Sequence, residues 1–337
     1  MKAFNKILES DIDAFCVQHF GSEPVRSHLG ASEIGHDCNR YLWYKFRWFF
    51  YETFSGRMYR LFERGHLEEM RFVKWLGGIG CKVQTDDFSE QQLYYDAYND
   101  VHFISDLNTV KQRPDFNKLI TDVSHISAHV YYAKFIGLKI PQFTVSGVNG
   151  HFGGSMDGKV WLPAEYLDFL QNKMKEEINN PVILEGKTKA TGAGFFKLKE
   201  NGVVLENDQH FTQQSTYGYK TGITHAIYMC SNKNDDDLHA ELIKLNPTLG
   251  KQSVLKADKI INDKQPPEKL SVQSTFFKCK YCPARFVCHE NAIPEKNCRS
   301  CVYSNPVENA EWYCDFWKSK IPKENIIEGC GEWSQLA

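Results

Sequence analysis

Seven of the eleven cysteines in this 337-residue chain fall between Cys279 and Cys330, and that crowding constrains the fold more than any other feature. Cysteines so close together converge on disulfides in an oxidising compartment or on a metal in a reducing one. The start, MKAFNKILESDIDAF, lacks an apolar run flanked by a basic segment and a small-residue cleavage site, and no later segment is apolar enough to span a bilayer. The expectation is therefore a cytoplasmic protein with no membrane partner, whose clustered cysteines ligate metal. Two sets separate by spacing. Cys279, Cys282 and Cys288 form C-x2-C-x5-C, three thiolates able to share a centre whose fourth ligand comes from elsewhere, Cys38 being the natural one. Cys298, Cys301, Cys314 and Cys330 form a zinc-ribbon-like set that predicts a second centre, holding Zn2+. Cys16, Cys81 and Cys230 have no sequence partners and are expected in the core.

The length accommodates one elaborated α/β domain or two modest ones. A net charge of -2 gives no global basic field, so contact with nucleic acid would come from local clusters; charge neither supports nor excludes DNA. Periodicity predicts helices near Asn5 to Phe20 and Gly56 to Leu76, with a turn-rich link at residues 21–30 and an aromatic-dense stretch from Ser32 to Phe50. Residues 81–149 read less sharply, with strand-like pieces at Val101 to Ile104 and Gln142 to Val148 and a helix-like piece at Val123 to Phe135. Beyond Gly150, HFGGSMDGKVWL alternates like a strand, PAEYLDFLQNKMKEEINN reads as an inserted helix, and PVILEGKTKA reads as a buried strand emerging into polar residues. Asp208 to Gly222 reads as a helix, Ala226 to Cys230 as a strand, and DLHAELIKL as a strand or the start of a helix. The expected domains are an N-terminal helical segment (1–55), a core (56–270) and a cysteine-rich metal-binding region (271–337), parted from the core by KQPPEKL.

Residues two apart on a strand face the same way, so Glu185 and Lys187 in LEGKTK project together. A carboxylate beside an ammonium can hold a divalent metal and stabilise charge developing on phosphorus, and Asp157 on a neighbouring strand adds a hard oxygen ligand. Each motif alone also reads as an ordinary ion pair or a hairpin turn. His66, in RGHLEE, offers an imidazole for the metal, or is a satisfied helix histidine. Gln213 and Tyr217 lie one helical turn apart and can face one groove, contacting a phosphate or base, or can sit within a half-buried helix. After Lys187, Lys189, Lys197 and Lys199 can neutralise phosphates, and Phe195 or Phe196 can stack on a base; the same segment reads equally as a solvated loop with its aromatics tucked inward.

Taken in order, His66, Asp157, Glu185-x-Lys187 and Gln213-x-x-x-Tyr217 resemble the motif series of RecB-type nucleases in the PD-(D/E)xK superfamily. The resemblance implies an α/β fold with a mixed β-sheet flanked by helices (a restriction-endonuclease-like core) and a cysteine-rich C-terminal metal-binding extension. It also implies Mg2+ or Mn2+ held by His66, Asp157 and Glu185, Lys187 as the catalytic lysine, and Gln213 and Tyr217 as supporting residues. Met156 stands where the superfamily's name has proline, and a helical insertion separates Asp157 from Glu185, leaving Asp168 as the fallback for the aspartate role. SEIGHDCNRYLWYKF and FKCKYCPARFVC resemble the two halves of the iron-sulfur-containing branch, AddB-like and CRISPR-associated RecB-like nucleases. By that resemblance Cys38, Cys279, Cys282 and Cys288 hold a [4Fe-4S] cluster, with Zn2+ at the same ligands as the alternative.

The function expected on this reading is a metal-dependent deoxyribonuclease, an exonuclease hydrolysing phosphodiesters at DNA ends in repair or recombination. An endonuclease with the same core and a non-catalytic zinc and nucleic-acid-binding module are the alternatives. The resemblance admits a phage exonuclease, and with it a host cytoplasm as the place of action. Nothing matches G-x-x-x-x-G-K-[ST], so a motor would have to be a partner, a helicase or recombination protein.

Overall fold

Apolar runs interrupted at a few polar positions decide how the chain lays out its strands. The computed structural model describes residues 2–21, 25–136, 138–190 and 192–336; residues 22–24 of the turn-rich link and residue 191 lie outside that set. The chain opens with α1 (Lys2–Phe20), β1 (Leu29–Gly30), α2 (Asn39–Phe46) and α3 (Gly56–Gly78), followed by β2 (Lys82–Gln84). An insertion then builds β3 (Gln92–Asp96), β4 (Val101–Ser105), β5 (Ile120–Asp122) and α4 (Ser127–Phe135). The core resumes with β6 (Thr144–Gly147), β7 (Phe152–Ser155), β8 (Gly158–Trp161), α5 (Ala164–Met174), β9 (Val182–Lys189), α6 (Gly192–Asn201), α7 (Asp208–Thr221), β10 (His225–Asn232), β11 (Leu238–Lys244) and α8 (Pro247–Asn262). The cysteine-rich tail adds β12 (Ser304–Pro306), β13 (Trp312–Cys314) and β14 (Ser319–Ile321).

The protein is a mixed α/β structure whose main sheet runs β11-β10-β9-β8-β2. Only β9 and β10 pair in parallel; the other neighbours are antiparallel. Helices cover both faces, which explains why β9 and β10 read as continuous apolar runs. Phe72 and Leu76 of α3 pack on one face with Val182 and Leu184. Tyr217 of α7 packs on the other with Ile183 and Tyr228. The tail is continuous with this second cluster, since Ala284, Trp312, Ile326 and Leu336 share it with Trp43 and Ile183. Among the described residues no helix is long and apolar enough to cross a membrane.

Three local readings change. HFGGSMDGKVWL is two strands in two sheets: β7 pairs with β6 and β1, whereas β8 joins the main sheet, and the chain switches at Met156 and Asp157. DLHAELIKL is a strand, paired along its length with β10. The lysine-rich segment after β9 is helical from Gly192, with Phe195 in the core and Phe196 63% exposed, so only the second phenylalanine is free to meet a ligand.

Candidate active site

The switch between sheets is what creates the site. The last registered pair of β8 and β9 is Gly158 with Leu184, so two residues further along β9 the Gly186 N–H has no β8 carbonyl to bond. It donates instead to Asp157 Oδ2 at 2.8 Å, which fixes that carboxylate at the splayed end of the ladder. Glu185, next along β9, is 0% exposed. Its Oε1 pairs with the Lys187 ammonium in close contact but without a well-directed hydrogen bond, and its Oε2 accepts from Gln213 Nε2 at 3.3 Å.

Gln213 and Tyr217 are both buried, so neither is presented to a phosphate or base. They form a brace instead. Gln213 Nε2 also donates to Tyr217 Oη at 3.2 Å, and Tyr217 Oη donates to the Ser155 carbonyl at 2.9 Å. The strand before Asp157 and the side chain of Glu185 are thereby tied to one helix.

A third carboxylate enters from the opposite face of the sheet. Glu69 on α3 feels the charges of Asp157, Lys187 and Glu185, and burial followed by Asp157 pushes its carboxyl well above the ordinary range. Glu185 is raised too, by burial first and by Asp157, against the opposing pull of Lys187. Burial alone would lower Lys187, but the Glu185 and Asp157 charges outweigh it and hold the ammonium above its usual value. Gly186 permits this approach: a Cβ there would stand 2.9 Å from the Phe72 ring and 3.5 Å from Glu69 Cγ. Sequence reasoning passed over Glu69, although RGHLEEM sets it one turn after His66 on the same face. His66 itself is exposed and is not among the groups whose charge Glu69 feels. Asp168 is exposed on α5, whereas Asp157 is the aspartate bonded to Gly186.

Three carboxylates crowded into a desolvated place repel one another, and a hard divalent cation relieves such repulsion. By its chemistry the donor set would suit one, with Asp157, Glu185 and Glu69 as the oxygens, but as the chain stands no three His, Cys, Asp or Glu side chains of the described residues are at ligand spacing. Around the site Lys197 is exposed, Lys189 donates to the Gly194 carbonyl at 3.4 Å, and Lys199 is taken up by Asp237 at 2.8 Å.

The two cysteine sets each gather round a cavity. Cys38 caps α2, its Sγ accepting from Tyr41 N at 3.4 Å, and with Cys279, Cys282 and Cys288 it lines a cavity of about 30 Å³. Burial and then the sulfurs of Cys38, Cys288 and Cys279 push the Cys282 thiol up to about 11. Burial also raises Cys288, while Arg40 and Lys269 oppose it; these cations suit an anionic four-thiolate centre. Cys298, Cys301, Cys314 and Cys330 line a second cavity of about 350 Å³. All eleven cysteines are free.

No family model and no curated protein matches this chain. Among solved structures it is similar to the crystal structure of SSO0001, with a TM-score of 0.37 and 13% identity over 84% of this chain and 96% of that one. It is also similar to an alkaline exonuclease, LHK-Exo, from Laribacter hongkongensis, with a TM-score of 0.24 and 14% identity over 40% of this chain and 62% of that one. The structure of LHK-Exo in complex with dAMP overlaps to the same extent, at a TM-score of 0.22.

Proposed function

We propose that this chain is a divalent-metal-dependent deoxyribonuclease that works as an exonuclease on DNA ends. The observation that carries the reading is Glu185: a carboxylate at 0% exposure, paired with Lys187 and drawn into one field with Asp157 and Glu69. A merely structural ion pair needs one acid and one base, whereas two further carboxylates make the cluster costly unless a cation joins it.

Asp157, Glu185 and Glu69 would hold Mg2+ or Mn2+, which supplies a Lewis acid for the phosphoryl oxygen and lowers the pKa of water. Lys187 keeps its proton and acts as a fixed positive charge against the negative charge that grows on the phosphoryl oxygens. Gln213 and Tyr217 hold Glu185 in position and keep water from its inner oxygen. Lys189 and Lys197 neutralise the strand's phosphates, and exposed Phe196 offers a ring on which a terminal base can stack. His66 stands at the outer edge as an auxiliary group, and Lys199 joins the phosphate contacts only if it leaves Asp237.

Cys38, Cys279, Cys282 and Cys288 would hold one four-thiolate centre, an iron-sulfur cluster or Zn2+ in its place. That centre ties α2 to the chain about 240 residues later, closing a long loop and so restricting the unfolded state. Its identity is read from the visible spectrum and iron content of anaerobically purified protein.

The decisive assay uses end-labelled linear and covalently closed circular DNA, single- and double-stranded, with Mn2+, Mg2+ or EDTA. Metal-dependent shortening of linear DNA with circles intact is expected. Cleavage of circles makes the enzyme an endonuclease, and DNA binding with no cleavage in either metal makes it a non-catalytic binding module.

A further inference from the structure

We infer that Cys298, Cys301, Cys314 and Cys330 bind one Zn2+, and that this ion fixes the turn from which Arg299 is inserted into the N-terminal half of the molecule. The proposal is independent of the nuclease reading, since it concerns metal content and the joint between the tail and the core.

The tail has little with which to hold itself. From Asn297 onward its regular structure is three strands of three residues and isolated 3-10 turns, and its buried apolar side chains, Trp312, Ile326 and Leu336, belong to the main core rather than to one of its own. A segment so poor in internal burial needs a staple. The four thiols are placed to be it. Cys298 and Cys301 bracket one turn, in which Asn297 Oδ1 accepts from Ser300 N at 3.0 Å and Ser300 Oγ accepts from Asn297 N at 3.3 Å. Cys314 closes β13, and its sulfur accepts a backbone N–H from Trp317 at 3.5 Å. Cys330 completes the ring of sulfurs about the cavity, whose wall also carries Phe316, Trp317 and Trp333. The lining of one cavity by all four sulfurs carries the assignment; as the chain stands no three of them are at ligand spacing, so the ion would draw them together, and a four-thiolate set with no oxygen donor selects Zn2+ over Mg2+ or Ca2+.

Arg299 shows what the staple supports. It lies between the two bracketing cysteines and is 1% exposed. Its guanidinium sits 4.6 Å from the Phe46 ring, 4.3 Å from Trp48 and 4.6 Å from Trp312. Nη2 donates to the Ser27 carbonyl at 2.6 Å, while Nε and Nη1 have no partner. Arg47, equally buried, adds a like charge beside it. No carboxylate pairs with either among the described residues' ion pairs. A charge buried on such terms stays in place only if its backbone cannot back away, and a metal across the Cys298–Cys301 turn removes that freedom. Ser27 leads directly into β1 and on to Cys38, so the ion's influence reaches the N-terminal segment.

The test measures zinc and thiols in the full-length protein. Titration of the wild type with a mercurial should release one equivalent of zinc that is retained in Cys38→Ser and missing in Cys314→Ser. Co2+ loaded in its place should show thiolate charge-transfer absorption. In Cys314→Ser, hydrogen exchange at residues 27–31 should rise at least tenfold, while β9 and β10 stay protected. A zinc content in Cys314→Ser equal to that of the wild type overturns the site. So does a non-reduced mass 4 Da below the free-thiol value with no zinc, which means two disulfides. Unchanged exchange at residues 27–31 after zinc loss overturns the coupling. Should Cys314→Ser fail to fold, mercurial release from the wild type, followed by exchange on the released protein, decides the same points.

Discussion

Two places in this molecule bury charge, and they do so in opposite ways. Along β9 a lysine and three carboxylates share one partly buried space, and the charges there shift Glu69, Glu185 and Lys187. Behind the tail, Arg47 and Arg299 are buried side by side with no acid paired to either among the described residues, held by the carbonyls of Ile261, Ser304 and Ser27 and by aromatic faces, with Nε of both and Nη1 of Arg299 left unpartnered. On the proposed reading, the first is an arrangement that a cation would complete. The second has no acid for a cation to meet and joins two parts of the chain. Buried charge by itself therefore does not mark an active site; an excess of one sign beside a mobile partner does.

The largest test of that contrast is Glu185→Gln, which keeps the shape and the bond from Gln213. Turnover should fall by about 10³-fold or more, with stability in urea changed far less than the ~3–5 kcal/mol usual for a broken buried pair, because Asp157 and Glu69 still face Lys187. Wild-type turnover would end the assignment. Arg299→Ala should do the reverse, costing about 2–3 kcal/mol through lost ring contacts and an unsatisfied Ser27 carbonyl, with turnover per folded molecule unchanged. A loss of turnover at full stability would erase the distinction between the two places.

Glu69→Gln comes next. The Mn2+ concentration for half-maximal cleavage should rise by about 10- to 100-fold, and His66→Ala should change it far less. If His66 proves the stronger of the two, the imidazole is the ligand and Glu69 only its neighbour. The last test is on pH. Burial, with the charges of Arg299 and Arg47, depresses His151 to about 4, and it bonds the Val307 carbonyl at 2.8 Å. Its folded pKa lies below the unfolded value near 6.5, so the unfolded chain takes up the proton first as pH falls. The stability due to neutral His151 is whole above about 6.5 and is lost on descent toward 4, with a slope of up to ~1.4 kcal/mol per pH unit. His151→Gln, measured by urea unfolding between those limits, should flatten that slope.

What could be read without coordinates followed the physics of each segment. The apolar run before Glu185 and the polar residues after Lys187 located β9 and its Glu185–Lys187 pair, because a buried strand shows itself in composition. Gln213 and Tyr217 pointed to the site, but their spacing left a groove-facing role and a half-buried helix equally open. In the fold everything from Thr212 to Gly218 is buried, and only packing against β9 reveals a brace. Glu69 was hidden among other charges of a helix that carries many. Arg47 and Arg299 were hidden for a related reason: arginine is read as surface, and nothing in CRSC or KFRW announces an aromatic box. The insertion of β3, β4 and β5 was blurred because its strands run three to five residues, too short for a period to establish itself.

The bond from Gly186 N–H to Asp157 Oδ2 makes the backbone a spectroscopic reporter. An amide proton's resonance moves with the charge on its acceptor, so a cation reaching Asp157 would shift the Gly186 signal. In protein labelled with 15N only at glycine, that signal belongs to a set of 23 residues, few enough to assign by substitution. Metal arrival at the acids can then be followed directly, with no substrate present and no turnover to interpret.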